Sequence, residues 1–168
     1  MATIAEPALF RRMKTPSESE RLWVGTGHRY ESFPLYLRRP TNVDTPANRK
    51  RYPKLAVLSH EFTHRLPDGR PESKYNKTLF DFDTAITSAF DSPPRGVPIL
   101  VETFGGFRHY YFCVAPDVDL AAAVQAIARR FPMEKLTWEY RTTPGWDFLA
   151  VYAGQYATAI SPPVSFLP

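Results

Sequence analysis

The chain has 168 residues, 43% of them hydrophobic and 14% aromatic, which is enough apolar side chain for one packed domain and too much for global disorder. Its net charge of +4 and pI of about 9.3 permit nucleic-acid binding without arguing for it. The only cysteine, Cys113, excludes an internal disulfide and a cysteine-rich zinc site. No apolar run approaches the roughly 20 residues of a membrane helix, and Met1 to Phe10 lacks the basic-then-apolar order of a secretory leader, so a cytoplasmic protein without a membrane partner is expected.

Residues 1–19 read as a polar arm, 20–153 as a single α+β domain and 154–168 as a proline-rich tail. Arg21–Gly27 and Phe33–Arg39 suggest two strands joined by a short turn, an N-terminal β-hairpin. Residues 40–53 read as a loop, and the basic cluster Arg49-Lys50-Arg51 with Lys54 as its solvated charge, because no aromatic platform is interleaved with it. Leu55–Phe62 is apolar throughout and fits a strand or a helix, and residues 67–74 read as a loop. Leu79, Phe82, Ile86 and Phe90 recur at helical spacing behind a Thr78/Asp81 capping box, and Pro93-Pro94 ends that helix.

Val97–Phe104 and Phe107–Val114 flank Gly105-Gly106, the two positive-φ positions of a tight primed turn. The turn sets the register: Val101 faces Tyr110 and Ile99 faces Phe112 on the core side, while Glu102 faces His109 on the other. Asp119–Phe131 is a second helix, with Leu120, Val124, Ile127 and Phe131 on its buried stripe. Lys135–Arg141 is a last strand, and Trp146–Tyr152 a short apolar turn or helix. With Leu55–Phe62 taken as a strand, the order from there is β-α-β-β-α-β, which predicts a ferredoxin-like sheet with helices on one face.

One motif carries chemistry. His60-Glu61-Phe62-Thr63-His64 fits the H-E-x-x-H pattern in which two histidines hold zinc and the glutamate acts as general base. On a helix the histidines lie about 6 Å apart along the axis and share one metal. On a strand they are about 13 Å apart with Glu61 on the opposite face, and cannot grip one ion. Pro53 and the stripe Leu55, Leu58, Phe62, Leu66 favour a helix, whereas Pro67-Asp68-Gly69 ends any helix soon after His64, and charged Arg65 follows the second histidine where an uncharged residue is usual.

The chain also resembles a bacterial family of domains of unknown function, family 695, from about Arg21 to Tyr152. The resemblance rests on Leu22-Trp23, Phe33-Pro34-Leu35, Leu55-Ala56-Val57-Leu58 leading into Pro67-Asp68-Gly69, the arm Gly105-Gly106-Phe107-Arg108-His109-Tyr110-Tyr111-Phe112, and Thr143-Pro144-Gly145-Trp146. The family's Asp-Pro-x-Trp element has Thr143 in place of its aspartate. The resemblance implies that Leu55–Phe62 is a strand, which argues against the zinc reading. It implies a ferredoxin-like α+β fold and lends no catalytic residue. Related domains lie beside a family of protein inhibitors of ribonuclease E, which implies regulation by protein contact.

In such a fold the face without helices holds Leu100, Glu102, His109, Tyr111 and Cys113, joined from the last strand by Trp138/Tyr140 or by Thr137/Glu139/Arg141. Glu102 opposite His109 reads as an acid–base pair or as an ordinary cross-strand polar pair, the latter favoured because no nucleophile accompanies it. Glu102, His109, Tyr111 and Arg141 are therefore the candidate binding face. The expectation is a non-catalytic regulator of another protein, inhibitor-like or immunity-like, with no cofactor. The alternatives are a zinc hydrolase using His60, Glu61 and His64, and an RNA-binding module using Tyr110 or Tyr111 and Phe112, which lacks the basic-aromatic signature of sheet-based RNA binders.

Overall fold

The computed structural model describes residues 21–156. They form strands β1 (Trp23–Tyr30), β2 (Phe33–Pro40), β3 (Lys54–Glu61), β4 (Gly96–Phe104), β5 (Phe107–Val114) and β6 (Lys135–Arg141). The helices are α1 (Pro46–Arg51), α2 (Ser73–Thr78), α3 (Phe80–Thr87), α4 (Leu120–Arg130) and α5 (Gly145–Tyr156). The strands make one antiparallel sheet in the order β1-β2-β4-β5-β3-β6. The arm expected at 1–19 lies outside the described residues. So does the end of the expected tail, whose first residues belong to α5.

Strand β3 lies between β5 and β6, and successive side chains serve opposite faces. Ala56 and Leu58 join Tyr110, Phe112, Val114 and Val101 beneath Leu79, Phe82 and Ile86 from α3 and its N-terminus and Leu120, Val124 and Ile127 of α4. Leu55 and Val57 join Leu100, Tyr111, Cys113, Leu35 and Leu37 beneath Trp146 and Leu149 of α5. A strand covered on both sides is apolar without alternation, which is why its sequence also fits a helix. The expectation of helices on one face is thus corrected: α3 and α4 cover one face and α5 covers part of the other. The Gly145 backbone approaches so closely that a Cβ there would stand 2.5 Å from the Cys113 sulfur.

The Gly105-Gly106 turn forms with φ of 60° and 93°, and it pairs Val101 with Tyr110 and Glu102 with His109 as expected. The register then shifts between Pro98 and Leu100, so Phe112 faces Pro98 and Ile99 turns into the α5-side core. Proline has no N–H for the ladder, and an irregularity beside it is the local solution. Two further expectations change. The segment 40–53 contains helix α1, whose first turn is capped by the Thr45 hydroxyl accepting from Asn48 N, with Pro46 at its start. Arg49, Lys50 and Arg51 occupy its last turn, where cations complement the helix dipole. The Thr78/Asp81 capping box is not made: Thr78 donates to the Tyr75 carbonyl, and the helix breaks at Leu79 into α2 and α3.

Candidate functional site

His60 ends the α3/α4-side row of β3 and is fully buried. Its Nε2 lies 2.8 Å from Glu134 Oε2, and the Tyr75 hydroxyl donates to the same oxygen at 2.6 Å. Both donors satisfy one carboxylate if the neutral imidazole carries its proton on Nε2, which leaves Nδ1 with no partner among the described residues. Burial lowers the His60 pKa and the Glu134 carboxylate opposes that shift. Phe82 and Phe62 pack edge-on against the ring. These partners make His60 a core histidine.

Glu61, next along the strand, points to the other face, where its carboxylate is 3.7 Å from Lys135 Nζ and 4.0 Å from an Arg65 nitrogen. His64 lies beyond the strand, exposed, with its ring against Tyr75. Residues 54–61 are a strand, so the helical geometry on which the zinc reading of His60, Glu61 and His64 depended is not formed. Among the described residues no group of three His, Cys, Asp or Glu side chains is placed to hold a metal ion.

Around Asp83 lies a second network on the same face. Its carboxylate pairs with Arg38, accepts from the Tyr110 hydroxyl at 2.9 Å and stands 3.3 Å from Arg108 Nη1. Arg108 also donates to Asn76 and Thr103. Burial, reinforced by the Asp83 charge, pushes the Tyr110 hydroxyl pKa far up. This set ties α3 to three strands.

The opposite face carries the residues expected to bind. Glu102 stands opposite His109, and the β3/β6 register places Thr137, Glu139 and Arg141, not Trp138 and Tyr140, on this side. The Ser59 hydroxyl lies 2.8 Å from His109 Nδ1. Glu102 accepts a hydrogen bond from the Tyr152 hydroxyl, and among the described residues no hydrogen bond joins it to His109. Burial lowers the His109 pKa, against the pull of Glu102. Arg141 is exposed and pairs with Glu139 at 2.7 Å. Tyr111 is buried, stacked on Phe148 at 4.7 Å, and Phe148 stacks on Tyr152 at 5.3 Å. Of the four expected face residues, α5 therefore covers Glu102 and Tyr111, leaves His109 partly open and leaves Arg141 free to solvent.

The uncovered part of this face is aromatic. The His109 ring lies parallel to Phe107 at 5.7 Å. Across β4, Tyr30 and Phe33 pack edge-on against Phe104 at 5.7 and 6.5 Å. Tyr30, Phe33 and Phe107 keep 50%, 45% and 36% of their surface exposed. Between Tyr30 and Phe33 the turn residues Glu31 and Ser32 hold φ of 47° and 71°, the left-handed region that ordinary residues seldom adopt.

A family model described as a family of unknown function, DUF695, matches residues 23–152. The chain belongs to this family. The resemblance read from Leu22-Trp23 through Thr143-Pro144-Gly145-Trp146 is thereby confirmed. No curated protein matches the chain, and no solved structure does. The DUF695 match ends at Tyr152, the residue that reaches Glu102, so the segment carrying α5 as far as that contact lies within the family region. No helix among the described residues is long and apolar enough to cross a membrane.

Sequence reasoning did not find Glu134, Tyr75, Asp83, Ser59 or Tyr152. Ser59 was accessible in principle, because pairing β3 with β5 sets it opposite His109. Tyr152 lies four residues after Phe148, the spacing of one helix face. Glu134 lies 74 residues from His60, and no local pattern marks such a pair.

Proposed function

We propose that this DUF695 protein acts by binding another protein, as an inhibitor-like or immunity-like regulator, and catalyses no reaction. The contact surface is the uncovered sheet face, from Tyr30 and Phe33 through Phe107 and His109 to Arg141. The row of partly exposed aromatic side chains carries this reading. Large, stiff aromatic groups are the usual anchors of protein interfaces, and Glu139 and Arg141 supply a charged rim. The chain order from β3 to β6 and the spatial order β4-β5-β3-β6 support a ferredoxin-like reading of this unit, with β1 and β2 as an added hairpin. The single buried thiol of Cys113 fits a reducing cytoplasm.

The test compares capture by the immobilised full chain with capture by a Phe33→Ala/Phe107→Ala variant in lysate of its own host. The reading expects a protein retained by the wild type and lost from the variant, with unchanged melting temperature. Equal retention by both, no specific protein at all, or retention only of RNA that falls away as salt rises would each reject it.

A further inference from the structure

The outer edge of β6 is a different kind of surface. Among the described residues no strand pairs with it, while its inner edge pairs with β3 without interruption from Lys135 to Arg141. It has neither proline nor bulge, and its only edge protection is the charge of Lys135, Glu139 and Arg141. Trp138 and Tyr140 keep 43% and 38% of their surface exposed. The opposite edge strand, β1, contains Gly25 and Gly27, which weaken a strand as a template.

The residues of β6 alternate in character. Leu136, Trp138 and Tyr140 share the α4 side, and Lys135, Thr137, Glu139 and Arg141 share the other. Two copies related by a two-fold axis perpendicular to the sheet pair antiparallel and keep like faces together. Centring the pair on Trp138 sets Lys135 against Arg141 twice, and centring it on Glu139 opposes the two glutamates. Centring it on Tyr140 opposes Glu139 to Arg141 twice but keeps only residues 139–141 of each strand in the ladder and runs the rest into Thr142, Thr143 and Pro144, whereas centring on Thr137 keeps residues 135–139. Centring it on Thr137 opposes Lys135 to Glu139 twice on one face and Leu136 to Trp138 twice on the other. Opposite charges and aromatic–aliphatic pairs directly across an antiparallel ladder stabilise it.

We propose that β6 is a self-association edge: a second copy of this chain pairs with it in the Thr137-centred antiparallel register, joining two six-stranded sheets into one. Lys135 has only a 3.7 Å contact with half-buried Glu61, and the Glu139–Arg141 pair joins two exposed side chains, so both charges can re-partner across the edge at little cost. The edge lies apart from the aromatic face and does not depend on the function assigned to it.

Sedimentation of the purified full chain across a dilution series tests the proposal. Lys135→Glu and Glu139→Lys should each weaken the dimer by about tenfold or more, and the double variant Lys135→Glu/Glu139→Lys should recover wild-type association. Trp138→Ser, which leaves every charge in place, should weaken it as well, while Phe107→Ala should leave it unchanged. A monomer at every concentration overturns the proposal, as does a dimer indifferent to the single charge reversals or not rescued by the double one. Circular dichroism on each variant separates loss of pairing from loss of fold.

Discussion

The two faces of the sheet differ in how they treat polar and aromatic groups. On the α3/α4 side polar groups are closed on one another: Asp83 gathers Arg38, Arg108 and the Tyr110 hydroxyl, and Glu134 gathers His60 and Tyr75. On the other side α5 covers part of the surface, and beyond its edge the aromatic groups Phe107, Phe33 and Tyr30 meet solvent. A part-buried polar network in which most groups are paired helps lock a fold, whereas partly exposed aromatic groups stabilise a monomer little and an interface much. The contrast is what supports the proposal that one face is structural and the other a contact surface.

The largest expected effect tests the first half of that assignment. Phe112 is fully buried, on the central strand β5, and packs against Phe90. Phe112→Ala should cost about 3–5 kcal/mol of unfolding free energy. Phe107→Ala, on the same strand and the other face, should cost within about 0.5 kcal/mol. Urea unfolding of the two variants measures the difference, and equal losses would show that the exposed aromatic row is structural.

An intermediate effect tests how firmly α5 is seated. Gly145→Ala puts a methyl group 2.5 Å from the Cys113 sulfur and 3.5 Å from the Leu55 backbone. Such overpacking costs about 1–3 kcal/mol. Cys113 is buried, and burial pushes its thiol pKa well up, so it should react slowly with a thiol reagent in the native chain. The Gly145→Ala variant should react faster, as α5 lifts from the sheet. Unchanged labelling with unchanged stability would mean that α5 shifts as a unit at little cost.

These two faces were unequally legible in the sequence. The apolar stripe Leu79, Phe82, Ile86 and Phe90 is buried in one core as read, although α3 runs only from Phe80 to Thr87 and ends before Pro93-Pro94, and the α4 stripe and the Gly105-Gly106 turn both form. Phe131 at the end of the α4 stripe is partly buried against the same core. The structure makes residues 54–61 a strand, where the residues alone were undecided, because burial on both faces erases the alternation that marks a strand. The α5 side was misread for two reasons. Trp146 and Leu149 disclose a short apolar helix, but which sheet face it joins is set by long-range packing and by the closeness of Gly145 to Cys113. The regular register read from the turn also left out Pro98, and Ile99 turns to the opposite core because the shift is absorbed between Pro98 and Leu100. The H-E-x-x-H match shows the same limit from the other side: five residues define the pattern, and the strand they end denies its geometry.

The smallest expected effect compares one histidine from each face. Burial lowers the pKa of both His60 and His109, so each binds a proton less readily in the folded chain than in the unfolded one. With an unfolded value near 6.5, their contribution is fully present above that pH and is lost as pH falls through each lowered folded value. One proton sets a slope of at most about 1.4 kcal/mol per pH unit. His60→Gln keeps a donor for Glu134 and removes the titration, so it should flatten the fall in stability below about pH 6.5. His109→Gln should flatten it less, because His109 keeps partial contact with water on the open side of the sheet while His60 has none. Melting temperatures of the three proteins between about pH 5 and 8 decide the order. The reverse order would place the more costly buried histidine on the aromatic face, and that face would then belong to the core.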